Sequence, residues 1–160
     1  MHAPETLAPA RRWVRPLRRF AADPAPGMSR VTLAGGLAVA GFWASCLALG
    51  SPWASESDVV RAFEAAFPVA DAVLAIALLA TSRGLRRRRP WGAFALTAAS
   101  AATVYLGLVD VTFSVSQGLY SEGPGTLTAA LAVQAFCLVG GGLGIWSGHR
   151  LWRRSPAPAA

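Results

Sequence analysis

Four long apolar segments dominate this sequence and restrict the folds open to it. They cover residues 31–50, 67–82, 91–115 and 126–148. A helix needs roughly 20 apolar residues to cross the hydrocarbon core of a bilayer. Only 14% of the residues are charged, whereas about a quarter are charged in a typical soluble domain. The sequence therefore predicts an all-α, four-helix transmembrane bundle, with one transmembrane domain over residues 31–148.

The basic residues indicate how these helices are oriented. The chain has no lysine, and 14 of its 15 arginines lie before the first segment, between the second and third, or after the fourth. The connections on the opposite side contain one base, Arg61, and the acids Glu56, Asp58, Glu64 and Glu122. By the positive-inside rule the arginine-rich side faces the cytoplasm. Both termini are therefore expected to be cytoplasmic, with basic, disordered tails at residues 1–30 and 149–160.

The composition and charge also indicate the surroundings of the protein. Abundant alanine and arginine without lysine or asparagine is typical of GC-rich coding, and we expect a multi-pass protein of a bacterial cytoplasmic (plasma) membrane. The formal net charge of +7 would suit nucleic acid if the arginines covered a folded surface. They flank apolar segments instead, so membrane lipid is the expected partner and nucleic acid is not.

Two acids, Asp71 and Asp110, lie inside the apolar segments. An ionised carboxylate in hydrocarbon is costly, so such residues are candidates for function by default. The helical rise of 1.5 Å per residue places both in the outer half, with Asp71 deeper and Asp110 near the outer interface. Gln134 falls at a comparable depth on the fourth segment, within expected reach of Asp71.

Helical spacing groups further residues with these acids. Ser57 or Asp58 can cap a helix that enters the membrane obliquely, with Pro68 in the first turn of the second span or at a kink. If that helix is continuous, one stripe carries Arg61, Glu64, Pro68 and Asp71. On the third span, a small polar stripe that should face the bundle interior contains Thr103, Gly107, Asp110, Ser114 and Gln117.

The stripes together predict an outward-opening polar pocket that binds a ligand or cation. Its expected residues are Asp71, Asp110, Gln134, Glu64 and Arg61. In the alternative interpretation Arg61 pairs with Asp71 or Asp110 and forms a structural latch, since a buried ion pair is not evidence of function.

Catalytic and metal motifs are missing from the sequence. Cys46 and Cys137 are isolated in apolar segments, and no CxxC pair or HExxH motif is present. Neither His2 nor His149 is expected near the acids. We therefore predict no catalytic residue, no metal site and no cofactor, and interpret both cysteines as inert thiols.

Gly140, Gly144 and Gly148 repeat every four residues on the fourth span. Such a face allows the backbone of another helix to approach closely. The expected partner is either the first helix, where Gly36 and Ala40 form a smaller face, or the fourth helix of a second copy in a homodimer.

The pattern "FPVADAVLAIALLA…RPWG…YLGLVD" in the middle of the chain resembles small, uncharacterised four-span integral membrane proteins of bacteria. This resemblance implies the fold and carries no activity or site residue.

Three function classes fit these features. The first is a non-enzymatic accessory, ligand-binding or assembly protein, which suits the small size and the glycine face. The second is a component of a proton or cation transporter or channel that uses Asp71 and Asp110. The third is a membrane-embedded enzyme acting on a lipid or isoprenoid, with the two acids as general acid and base.

A reporter fused to the C-terminus tests the predicted topology. A fluorescent protein that matures only in the cytoplasm should be bright there, and a phosphatase that works only outside should be inactive, because the arginine-rich side stays inside. A phosphatase that is active at the C-terminus would contradict the prediction, and a fusion after residue 122 is the opposite-side control.

Overall fold

A computed structural model describes residues 25–50, 57–121 and 123–154. Within these ranges the chain is helical and forms no strands. The helices are α1 (Ala25–Leu49), α2 (Asp58–Glu64), α3 (Phe67–Arg86), α4 (Pro90–Gln117), α5 (Pro124–Ala135) and α6 (Gly141–Arg154). A 3₁₀ turn covers Leu119–Ser121, and a π-helical turn, Phe136–Gly140, joins α5 to α6.

Four stretches are long and apolar enough to cross a membrane, as the sequence predicted. They are Ala25–Leu49, Asp58–Arg86, Pro90–Gln117 and Ala130–Arg154. Two ends of the helical array can be distinguished by charge. The arginine end holds the start of α1, the α3–α4 turn and the end of α6, and the acidic end holds α2, the end of α4 and the start of α5.

The first and last helices extend beyond the predicted domain boundaries. Residues 25–30 and 149–154 are helical, although the sequence assigned them to disordered tails. In the first of these segments, Ser29 is fixed by hydrogen bonds with Ser82 of α3. The Ser82 hydroxyl donates to the Ser29 carbonyl at 2.8 Å. At the second, the ring of Trp146 lies under the Arg150 guanidinium at 4.6 Å. The remaining tail residues, 1–24 and 155–160, as well as Glu56 and Glu122, lie outside the described ranges.

The second span begins as predicted, with a short helix followed by a break. Ser57 caps α2, and its Oγ accepts from the Val60 amide at 3.3 Å. The chain turns at residues 65–66, and Pro68 occupies the first turn of α3. A proline is tolerated there because the first amides of a helix have no intrahelical acceptor. Arg61 and Asp71 are therefore on two helices rather than one.

Neighbouring helices pack in chain order: α1 on α3, α3 on α4, and α4 on α6. Small residues allow these contacts. A Cβ on Gly36 would lie 3.1 Å from the Ala75 carbonyl oxygen, and a Cβ on Gly92 would lie 2.9 Å from the backbone of Gly84 and Leu85. Helix pairs in lipid gain stability mainly from such close packing.

The fourth span presents a different glycine face from the one that the spacing predicted. A Cβ on Gly141 would meet the Ser100 carbonyl oxygen of α4 at 2.9 Å, and Gly144 and Gly148 also face α4. Gly140 has open space around its Cα. Gly141, Gly144 and Gly148 are spaced i, i+3 and i+7 and so share one face of α6, whereas Gly140 belongs to the preceding π-helical turn.

The expected packing of the first helix on the fourth is replaced by packing on α3. Gly36 contacts Leu79 and Ala75 of α3, while Ala40 is exposed. α1 and α6 contact each other far less than either contacts its main neighbour. Because Gly144 and Gly148 contact α4 of the same chain, a homodimer through α6 would have to use other residues.

The distribution of side chains is the reverse of that in a water-soluble domain. Large apolar residues such as Leu47 (89% exposed) and Val69 (76% exposed) lie on the outside. Many buried residues are hydroxyl-bearing, including Ser29, Thr81 and Thr103. Among the described residues every buried polar side-chain atom has a hydrogen-bond partner, and Thr81 and Thr103 bond carbonyls one turn earlier. This arrangement suits hydrocarbon surroundings.

Adding a methyl group at Gly141 should destabilise the protein. Gly141→Ala forces Cβ onto the backbone of α4, and overpacking of this kind costs about 1–3 kcal/mol. Gly142→Ala is the matched control, because Gly142 has open space and alanine favours a helix over glycine by roughly 0.5–1 kcal/mol. Thermal unfolding in detergent should rank Gly142→Ala at or above the wild type and Gly141→Ala below it. The reverse order would show that α6 does not face α4 through Gly141.

Candidate functional site

Three acids of the second and third spans, Glu64, Asp71 and Asp110, lie towards the acidic end of the helical array. Glu64, at the end of α2, is within the electrostatic range of both Asp110 and Asp71. All three side chains are half-buried. The break between α2 and α3 and the antiparallel course of α4 produce this convergence. We call Glu64, Asp71 and Asp110 the carboxylate cluster.

Asp71 is held by a residue of the first span. The Trp43 indole Nε1 donates to Asp71 Oδ2 at 2.8 Å. A hydrogen bond to a charged acceptor is stronger than one between neutral groups. An indole N–H in an apolar segment also needs an acceptor when it is buried. The contact therefore satisfies both groups and ties α1 to α3.

Asp110 is held from the fourth span through Gln134. The Gln134 side chain lies beside the Asp110 carboxylate, and its Nε2 donates to Ser114 Oγ at 3.2 Å. The Tyr120 hydroxyl donates to Gln134 Oε1 at 2.7 Å. A primary amide has two N–H donors and one carbonyl oxygen, so each kind of group is used. Because Gln134 is only 4% exposed, its amide depends on these partners rather than on water.

The chain reversal after α4 brings Tyr120 to this position. Gly118 ends α4 with a φ of 68°, a left-handed conformation that glycine adopts without strain. Its amide closes the helix on the Ser114 and Val115 carbonyls. The following 3₁₀ turn, Leu119–Ser121, then directs the tyrosine back towards Gln134 on α5.

Aromatic rings pack around the same end of the protein. Phe63 of α2 stacks on Phe113 of α4, with ring centroids 3.6 Å apart and planes 4° from parallel. Phe67 meets Phe63 edge-on at 4.8 Å. These contacts fix α2 against α4, and they lie one residue from Glu64 and three from Asp110 along the chain. The stacked rings therefore belong to the same segments of α2 and α4 as Glu64 and Asp110.

Four of the five predicted site residues contribute to this region, and Arg61 has another role. Arg61 is an exposed side chain that forms an ion pair with Asp58, one turn earlier on α2. Gln134 contacts Asp110 and its neighbours, while the hydrogen bond of Asp71 is made to Trp43. The described ion pair of Arg61 is therefore with Asp58, an acid that the latch interpretation did not name.

The polar stripe predicted on the third span faces the interior over most of its length. Thr103, Gly107 and Ser114 are buried and Asp110 is half-buried, but Gln117 is exposed. Gly107 packs against Cys137 of the π-helical turn, where a Cβ would come within 2.6 Å of the Cys137 Cβ. Cys137 is also within the electrostatic range of Asp110 and Asp71.

Sequence reasoning missed two residues of the site, Trp43 and Tyr120. Trp43 is 28 positions from its partner, and no local pattern links the two. A tryptophan inside an apolar span does signal a donor that needs an acceptor. The signal for Tyr120 is the preceding Gly118, because a glycine at a helix C-terminus predicts a reversal of the chain.

One cavity is an open groove of about 820 Å³ between α3 and α4, and none of the described residues that line it is an acid. Its lining is mostly alanine, with Val69, Val73, Phe94 and Tyr105 along its edges. Among the described residues, no three His, Cys, Asp or Glu side chains meet as a metal site.

The bond between Trp43 and Asp71 should be measurable by a double-mutant cycle. Trp43→Phe keeps an aromatic ring but removes the N–H, which should lower the free energy of unfolding by about 1–3 kcal/mol. The loss should be much smaller when Asp71 is already leucine, because the acceptor is then absent. Trp152→Phe, at an exposed position, is the control and should be close to neutral. Equal losses from Trp43→Phe in both backgrounds would exclude the bond.

Comparison with protein-family models, with curated proteins and with solved structures gave no match. The function proposed below therefore rests on the contacts of the chain's own residues.

Proposed function

We propose that the chain is a small, non-enzymatic, multi-pass membrane protein that binds a cationic ligand at the carboxylate cluster. The observation that carries this proposal is the convergence of Glu64, Asp71 and Asp110 near one end of the helical array. Neutral donors, Trp43 and Gln134, hold two of them. The like charges repel one another, and a bound positive charge relieves that repulsion.

The surroundings of the cluster favour an organic cation. Aromatic rings attract ammonium groups through their negative faces, and acids beside such rings add a full opposite charge. Here Trp43 donates a hydrogen bond to Asp71, and the stacked rings of Phe63 and Phe113 belong to the same segments of α2 and α4 as Glu64 and Asp110. An amine or quaternary ammonium group is therefore the proposed chemical class of ligand.

The side from which the ligand arrives follows from the arginines. We infer that the arginine end is cytoplasmic, so that the carboxylate cluster opens to the outside of a bacterial plasma membrane. The exposed apolar surface and the four helices of spanning length support the membrane location. An accessory role fits a chain of this size. In that role, binding of the cation or of an assembly partner signals conditions outside the cell.

A second candidate function is proton or cation transport. The observation in its favour is that buried polar residues continue along α4 from Ser114 to Thr103 and Ser100, towards the arginine end. These groups on α4 are hydroxyls, and the Thr103 hydroxyl donates to the Ala99 carbonyl of the same helix. A route of satisfied hydroxyls is a poor cation path, so binding is ranked above transport.

Thermal unfolding across a panel of cations tests the proposed function. Wild type and the variants Glu64→Gln, Asp71→Asn and Asp110→Asn are compared with sodium, calcium, tetramethylammonium and spermidine. A ligand at ten times its dissociation constant stabilises the folded state by about 1.4 kcal/mol. We expect the organic cations to raise the melting temperature of the wild type and to lose this effect in all three variants.

Asp58→Asn is the matched control, because it removes an acid of α2 that pairs with Arg61 outside the cluster. This variant should keep the wild-type response to cations. A wild type that ignores every cation, combined with strong destabilisation in the three variants, would make the cluster a structural element and refute the binding proposal. Cation-dependent flux in reconstituted vesicles that is lost in Asp71→Asn would place transport ahead of binding.

A further inference from the structure

Another cavity, with polar walls, lies at the arginine end of the protein, opposite the carboxylate cluster. It has a volume of about 400 Å³ and lies between the start of α1 and the α3–α4 turn. Its basic lining residues are Arg30 from α1, Arg86 from the last turn of α3, and Arg88 from the turn itself. None of the described residues that line it is acidic. The cavity is therefore strongly positive.

The backbone around the α3–α4 turn is well defined by hydrogen bonds. The Arg88 amide donates to the Leu85 carbonyl at 3.1 Å, and the Arg89 amide donates to the Gly84 carbonyl at 3.0 Å. Arg88 itself has a φ of 51°, a left-handed conformation that few residues other than glycine adopt. Such a residue is held by its surroundings. The turn thus fixes the position from which one arginine reaches the cavity.

The cavity is also lined by one polar and several apolar residues. Ser29 lines it and is hydrogen-bonded to Ser82 of α3, so its position is set by the contact between the two helices. Leu33 and Leu85 supply the apolar side. A group that fits this cavity carries a compact negative charge next to hydrocarbon.

We propose that this cavity is a binding site for a phosphate group. Guanidinium groups match phosphate because their planar N–H donors can bond two oxygens at once. The leucines beside the arginines favour a phosphate carried by a lipid over a free ion. Basic cavities between membrane helices are known to accept anionic head groups. This site is separate from the carboxylate cluster and does not depend on the function proposed for it.

The experiment measures lipid binding to the full-length protein in a neutral detergent. Native mass spectrometry and thermal unfolding are recorded with phosphatidic acid, phosphatidylcholine and inorganic phosphate. The test variant is Arg30→Gln with Arg86→Gln, and the matched control is Arg87→Gln with Arg89→Gln, which removes two exposed arginines of the same turn that do not line the cavity. The single variants Arg30→Gln and Arg86→Gln guard against a folding defect in the double variant.

One phosphatidic acid should remain bound to the wild type, and the test variant should weaken its binding by about tenfold or more, since hydrogen bonds between charged groups are the strong ones. The control should change binding by less than about twofold, because Arg87 and Arg89 do not line the cavity. Equal losses of phosphatidic acid binding in the test and control variants would refute the proposed phosphate site, and would indicate general electrostatic attraction to the arginine-rich surface. Equal binding of phosphatidylcholine would also refute it. Inorganic phosphate that stabilises the protein as well as phosphatidic acid does, through the same two arginines, would assign the site to a free ion.

Discussion

The structure depends on the requirement that polar groups inside an apolar medium find partners within the protein. Hydrocarbon offers no hydrogen bonds, and helices in it gain nothing from excluding water. The contacts between helices are accordingly made by glycine, alanine, serine and threonine. Ser29 and Ser82 join α1 to α3, and Gly141 brings α6 onto α4. Among the described residues this leaves no buried polar atom without a partner.

The same requirement accounts for the contacts around the two aspartates of the apolar spans. Asp71 takes a donor from α1, and Asp110 takes one from α5, so the acids link helices that are distant in sequence. Glu64 lies within electrostatic range of both aspartates. The two ends of the protein therefore differ in sign: acids converge at one end and arginines surround a cavity at the other. The two proposals correspond to this difference: a cation at the acidic end and a phosphate group at the arginine end.

Much of the architecture could be predicted because it follows from local sequence. The lengths of the apolar segments predicted four helices, and Ser57 and Pro68 predicted the cap and the break before α3. The period of α4 predicted that Thr103, Gly107 and Ser114 face inward. The four-residue repeat of glycines on the fourth span was less successful. The face that packs on α4 is Gly141, Gly144 and Gly148, which follows the i, i+3, i+7 spacing of a helix, and Gly140 lies outside it.

The sequence by itself determined which residues cannot face lipid without a partner, because burial of charge and the spacing of polar residues are properties of each helix. It therefore identified Asp71, Asp110, Glu64 and Gln134. Only the tertiary structure decided which partners they have. Trp43 reaches Asp71 across 28 residues, and Arg61 forms an ion pair with Asp58 of its own helix. Pairing between helices depends on their relative rotation and depth, and these are fixed by close packing of small residues over the whole array rather than by any single segment.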